Sequence, residues 1–246
     1  MLTFLRPLRV AVLSSHRCPG AQDLLFDPAL GRRWELACAF SSEPDFETRP
    51  LFLAADVPFV SYPIRDFYRR RNAPLSDLSV RREYDAAVAA LLKGWEPDLL
   101  LFSSYLYVAT PALLDSAPVG AINVHGSDLC LLGADGRPKY PGLRAVADAI
   151  LSGERETRAT AHWMTEEVDG GPVILRSPAY PVAPFVADLL AAGNRRAVKA
   201  YACAHQEWML ADAWGDLARQ AIRLAAAGRR APDAERVVAV LSAEGA

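Results

Sequence analysis

Short apolar runs alternate with stretches of helical periodicity along the first two thirds of the chain. Residues 8–13 form a run rich in β-formers that ends in Ser14-Ser15-His16. Similar runs cover 34–40, 57–62, 99–102 and 121–124. Pro58 suits the start of the third, where no ladder donor is needed. Continuous apolar runs of this length predict strands buried on both faces, as in a parallel sheet. Between them, 79–93 carries Val80, Tyr84, Ala87, Val88, Leu91 and Leu92 at helical spacing, and Gly94 supplies a stop. A second helix is predicted over 142–151, closed by Ser152-Gly153. Strands alternating with helices predict right-handed βαβ units. The expected class is α/β, a Rossmann-like doubly wound, mostly parallel sheet.

The later part reads differently. Residues 159–164 and 172–177 are two strands joined by the loop 166–171, so an antiparallel pair at a mixed sheet edge is expected. From Arg195 the chain turns helical to about Ala227, and 232–241 reads as a short amphipathic helix. The expected organisation is a catalytic unit over 1–183 with a helical extension, 184–246, packed on it. One crevice is expected outside the carboxyl ends of the strands, where the strand order reverses.

Composition narrows the class. The chain has 246 residues, 52% of them hydrophobic and 23% charged, enough for a well-buried core. A net charge of −2 gives no global field that would draw nucleic acid or anionic lipid. The cluster Arg69-Arg70-Arg71 reads as a solvated loop. Cys18, Cys38, Cys130 and Cys203 are scattered, without metal-ligand spacing or a disulfide framework. The first residues lack a signal-peptide pattern, and no apolar run approaches the roughly 18–20 residues that cross a bilayer. A cytoplasmic protein without nucleic-acid or membrane partners is expected. A homodimer is among the assemblies the sequence allows.

The fifth run opens into Asn123-Val124-His125. Strand alternation puts Asn123 and His125 on one side, an amide beside an imidazole. The first can donate to a developing oxyanion and the second carries protons near neutral pH. Asp169, in the loop after a later strand, is a candidate to orient and charge the imidazole. Each residue alone has a bland rival: a loop cap for His125, and turn chemistry for Asp169-Gly170-Gly171. His205 falls on a helical face with Met209 and reads as a packed or surface histidine.

Together the motifs carry more. Asn123-Val124-His125, then Pro138-Lys139-Tyr140-Pro141-Gly142-Leu143, then His162-Trp163-Met164-Thr165-Glu166-Glu167-Val168-Asp169-Gly170-Gly171-Pro172 resemble the formyltransferase family in type and order. Within it, the likeness is nearest to the branch that formylates glycinamide ribonucleotide in purine biosynthesis. The resemblance implies transfer of a formyl group from 10-formyltetrahydrofolate to an amine, without a metal. It puts Asn123, His125 and Asp169 on catalytic positions. It places Tyr105, Leu106, Tyr107 and Val108, with Thr165, Glu166, Glu167 and Val168, around the folate pterin. His162 falls near the acceptor, and Ser14, Ser15, His16 and Arg17 occupy the position of the family's phosphate loop.

That loop departs from the pattern, because its glycine-rich backbone approach is gone. Residues 128–137 lengthen the link after His125, with an inserted turn over 133–136 expected to border the crevice and reshape the acceptor site. The helical region after 184 is a third departure. Three other readings stay open: a hydrolase that releases formate, a formyltransferase for another amine such as an amino sugar, and a non-catalytic folate-binding protein.

Overall fold

The computed structural model describes residues 6–228 and 239–240. In chain order the strands are β1 Leu8–Ser14, β2 Trp34–Ser41, β3 Phe59–Ser61, β4 Leu99–Ser103, β5 Gly120–His125, β6 Glu156–Thr157, β7 Thr160–Trp163, β8 Val173–Arg176, β9 Tyr180–Pro181 and β10 Ala239–Val240. The helices are α1 Ala21–Leu25, α2 Arg49–Ala54, α3 Ile64–Arg70, α4 Leu78–Leu92, α5 Pro111–Leu114, α6 Ala145–Leu151, α7 Phe185–Ala191, α8 Arg195–Asp212 and α9 Trp214–Ala226.

Eight strands form the main sheet in the order β10-β8-β7-β5-β4-β1-β2-β3, and β6 with β9 makes a small separate pair. Strands β1 to β5 run parallel, whereas β7 is antiparallel to both β5 and β8. The strand order reverses between β1 and β4, as the doubly wound class requires.

Alternation along the strands assigns two cores. Val10, Val12, Leu99, Leu101, Ile122 and Val124 face α1, α2, α6, α8 and α9. Ala11, Leu13, Leu100, Phe102 and Ala121 face α3, α4 and α5. Neighbouring residues therefore serve opposite layers, which is why these strands read as unbroken apolar runs.

The helical region after 184 is not an outer appendage. Trp214, Leu217, Ala218, Ala221, Ile222 and Ala225 form one buried stripe on α9, and that stripe lies in the same core as β1, β4 and β5. The helical stretch expected from Arg195 to about Ala227 is made of two helices, α8 and α9, broken at Ala213. His205 is buried on α8, with Nε2 2.8 Å from Thr157 Oγ1 and Nδ1 3.2 Å from Tyr201 OH, and its burial lowers its pKa.

Other boundaries moved for local reasons. Helix α4 begins one residue before the predicted start, because the Asp77 carboxylate accepts from the amides of Ser79 and Val80. Its end is not set by Gly94. The last turn tightens into a 3-10 turn over Lys93–Trp95, and the left-handed residue is Glu96. The helix predicted over 232–241 is corrected at 239–240, where the chain is extended. Ala239 and Val240 pair in parallel with Leu175 and Arg176 of β8, satisfying an otherwise open strand edge. The rest of that prediction lies outside the described residues.

Candidate active site

The end of β5 and the antiparallel strand beside it bring the first polar groups together. Asn123 and His125 project from the same side of β5. The register pairs Asn123 directly opposite His162 on β7. Asn123 Nδ2 lies 3.2 Å from His162 Nε2, and His162 Nδ1 lies 3.0 Å from the Trp163 carbonyl. The carbonyl can only accept, so the proton sits on Nδ1 and Nε2 accepts from the Asn123 amide. This chain fixes which end of the Asn123 amide faces His162.

Asp169 reaches the pair from the loop after β7. Its backbone is left-handed, φ 54°, a conformation that aspartate tolerates better than most residues. The loop can fold there because residue 171 is glycine: a Cβ at Gly171 would fall 1.8 Å from the Trp163 carbonyl oxygen. Asp169 Oδ2 accepts from the Gly142 amide at 2.7 Å, while Oδ1 lies 3.5 Å from His125 Nδ1 and 3.7 Å from His162 Nε2. The other ring nitrogen of His125 faces the Tyr140 carbonyl at 3.5 Å. The Tyr140-Pro141-Gly142 segment thus supplies two backbone groups: a carbonyl against His125 and an amide that holds Asp169. Sequence reasoning noted the segment but not these roles.

Both nitrogens of His125 face acceptors, an arrangement that only the imidazolium satisfies fully. Burial outweighs it. The His125 pKa is lowered, first by desolvation and against the raising effects of Asp169 and of Tyr140. Asp169 raises it as expected, but burial is the larger effect. His162 falls to about 4, through burial and then the neighbouring His125. Burial thus favours the neutral form of both rings in the resting site.

Two cavities flank this centre. The first, about 230 Å³, opens towards the layer of α4 and α5 and is lined by Asn123, His125, His162 and Asp169. Residues 105–108 and 165–168, predicted for the pterin, all line it, together with Phe102, Met164 and Leu143. Leu106, Val108, Leu143 and Val168 are exposed, a large apolar rim on a polar centre. Behind it, Tyr105 packs edge-on between Phe102 and Tyr107, and Tyr107 OH donates to Glu43.

The second cavity, about 120 Å³, adjoins the first through Asn123, His125, Tyr105, Leu106, Gly142 and Leu143, and is closed by Val146, Gln206, Leu210 and Trp214. The last three come from α8 and α9 and were missed. They carry no local signal, since only long-range packing brings them to β5. His162, predicted on the acceptor side, lines the first cavity instead.

Ser14, Ser15, His16 and Arg17 line neither cavity. Ser14 and Ser15 are buried, and the Ser15 hydroxyl is engaged by Ser42 and by the Leu106 amide. His16 is exposed. Arg17 pairs with Glu207 at 2.6 Å over a separate surface depression. The inserted turn also lies away from both cavities. Residues 131–139 fold back on themselves through Gly133 N to Arg137 O and Lys139 N to Leu131 O. The turn instead touches the first cavity's loop from outside, where Arg137 pairs with Glu167 at 3.2 Å. Among the described residues, no helix is long and apolar enough to cross a membrane, and no group of three or more His, Cys, Asp or Glu could hold a metal ion.

Residues 8–189 match the family described as formyl transferase, and the chain belongs to that family. It is similar to the phosphoribosylglycinamide formyltransferase of Escherichia coli, 31% identical over 97 residues, 39% of this chain and 42% of that protein. It is also similar to a methionyl-tRNA formyltransferase of Anaeromyxobacter, 37% identical over 108 residues, 44% of this chain and 31% of that protein. The matched stretches span less than half of either relative. The fold matches glycinamide ribonucleotide transformylase 1 of Symbiobacterium toebii at a TM-score of 0.61 and 25% identity, covering 91% of this chain and 89% of that one.

Proposed function

We propose that this protein transfers a formyl group from 10-formyltetrahydrofolate to an amine, with the donor in the first cavity and the acceptor in the second. The observation that carries the reading is the placement of Asn123 and His125 between two cavities, with Asp169 anchored behind His125. A reaction that joins two molecules needs its catalytic groups to reach both.

The first cavity fits a folate. Its wall combines apolar side chains with the backbone of residues 105–108 and 165–168, which suits a flat heterocycle. Its exposed rim of Leu106, Val108, Leu143 and Val168 would be covered by the rest of the donor. When bound, the donor supplies an electrophilic formyl carbon on nitrogen.

The residues then have distinct tasks. The Asn123 amide, held by His162, donates to the formyl oxygen as it gains negative charge. His125, neutral at rest, lies beside Asn123 with its ring nitrogens turned to Asp169 and Tyr140. A proton shed by the attacking amine and passed through Asp169 makes it the imidazolium, whose positive charge offsets the charge growing on the formyl oxygen. Asp169 holds His125 and accepts the proton shed by the attacking amine, directly or through water, for delivery to the departing nitrogen. Purine biosynthesis is the first context to test, because proteins named phosphoribosylglycinamide formyltransferase are among those this chain is similar to.

The test is an amine screen with 10-formyltetrahydrofolate, followed by folate absorbance and by formate release. Amine-dependent loss of donor without formate supports transfer. Formate release that no amine alters identifies a hydrolase with the same centre. No consumption of donor under either condition, with folate still bound, leaves a folate-binding protein.

A further inference from the structure

Resting on the formyl-transfer reading, we infer that the acceptor is a compact amine without a phosphate group, held in the cavity that α8 and α9 close against the end of β5. Three observations meet here.

The first is charge. None of the residues lining the second cavity is a lysine, an arginine, an aspartate or a glutamate. Its polar groups are Asn123, His125, Tyr105, the Gln206 amide and the Ser104 segment, against walls that include Leu143, Val146, Leu210 and Trp214. A phosphate buried there would lose its water and find no cation.

The second is size. At about 120 Å³ this cavity has about half the volume of the first. It has room for an amine and a few neighbouring atoms.

The third is what surrounds the exit. Beside the cavity's Leu210 wall, α1 packs tightly against α9. Gly20, at the start of the five-residue helix α1, lies so close to α9 that a Cβ would fall 2.4 Å from the Gly215 Cα. The Asp23 carboxylate occupies the space against Gly215, where a Cβ would fall 2.0 Å from Oδ2. Beyond Leu210, which walls both spaces, the surface depression carries Asp23, Glu47 and Glu207 against Arg17 alone, and Arg17 is already paired. An acceptor long enough to reach past Leu210 meets negative charge.

The experiment reads binding and chemistry separately on the full chain. The indole N–H resonance of Trp214, identified by its loss in Trp214→Phe, reports on the cavity in a nitrogen–proton correlation spectrum. Glycinamide should shift it saturably, and ribose 5-phosphate should leave it unmoved. In turnover with 10-formyltetrahydrofolate, glycinamide riboside should match or exceed glycinamide ribonucleotide in kcat/KM. Gln206→Trp, which fills the cavity from α8, should raise the KM for glycinamide at least tenfold and leave the donor KM within twofold. A Trp214 shift with ribose 5-phosphate overturns the inference. So does a preference of tenfold or more for the phosphorylated acceptor, or for methionyl-tRNA over glycinamide. A spectrum that none of the probes moves overturns it too, because the cavity is then no acceptor site. If Trp214 responds to glycinamide but no donor is consumed, the binding inference stands and the formyl-transfer reading falls.

Discussion

The two cavities share Asn123, His125 and a wall of Tyr105, Leu106, Gly142 and Leu143, but their remaining walls are built in different ways. The donor side is made from segments close to the strand ends: residues 105–108 after β4, and 164–169 after β7. The acceptor side is closed by Gln206, Leu210 and Trp214, which lie about eighty residues or more beyond β5 in the chain. The wall proposed for the donor follows from the motifs read in the sequence, whereas the wall proposed for the acceptor depends on how two helices pack across the sheet. On that reading, a change in the covering helices alters the acceptor and leaves the donor wall in place.

The largest expected effect falls on the group common to both sides. His125→Ala should lower kcat by about a thousandfold, within the range for loss of one acid–base group, with both KM values within about threefold. Steady-state kinetics on the acceptor found in the screen checks this. A loss confined to the acceptor KM would break the comparison, since His125 would then be a wall of one cavity and not the centre between two.

How much of this was legible in the sequence follows the same division. The parallel strands were legible because each is buried on both faces, and unbroken apolar runs leave little else to fold into. Asn123, His125 and Asp169 were legible through the order of their motifs, not through spacing alone. The short helices α1, α2, α3 and α7 were not, since five to seven residues give too few turns for a period to emerge. The first-strand loop was half legible. Its departure from the family's glycine-rich pattern was visible, but the approach of Gly215 to Gly20 joins residues almost two hundred positions apart. The neutral state of His125 was not legible, because burial outweighs its carboxylate partner and depends on the whole fold.

The next effect is on the acceptor side alone. Gly20 has φ +76° and no space for a side chain against Gly215. Gly20→Ala should cost about 2–3 kcal/mol, as strain and overpacking do at such sites, read by urea unfolding. In the folded fraction the acceptor KM should rise more than the donor KM, because α9 must move away from α1. Equal rises would show that the covering helices do not define the acceptor site.

A smaller, pH-dependent effect belongs to the donor side. The folded pKa of His162, about 4, lies below its unfolded value, so between about pH 6.5 and 4 the unfolded chain binds the extra proton. Stability from this group is full above pH 6.5 and falls on acidification, with a slope of at most about 1.4 kcal/mol per pH unit. Asp85 works the other way. Burial raises it to about 6, so acidification through that value relieves an unfavourable buried charge. His162→Gln should therefore flatten the loss of stability between pH 6.5 and 4, as measured by urea midpoints, and Asp85→Asn should steepen it. An unchanged profile in His162→Gln would mean that His162 is not held neutral by burial.

The smallest effect tests the inserted turn. Arg137 meets Glu167 on the surface, with both side chains largely in water, and exposed ion pairs are worth roughly 0.2–1 kcal/mol. Arg137→Ala should leave stability within about 0.5 kcal/mol and raise the donor KM about twofold, because Glu167 sits on the loop that walls the first cavity. The acceptor KM should not change. This is the opposite of what the position of the insertion in the sequence suggests, directly after His125 and bound for the acceptor. The turn closes on itself between Leu131 and Lys139 and leans on the 165–168 loop instead. Raising the salt concentration should erase the difference between Arg137→Ala and the parent protein, since screening removes the same contact. A salt-independent rise in the acceptor KM would place the turn on the other side of the catalytic centre.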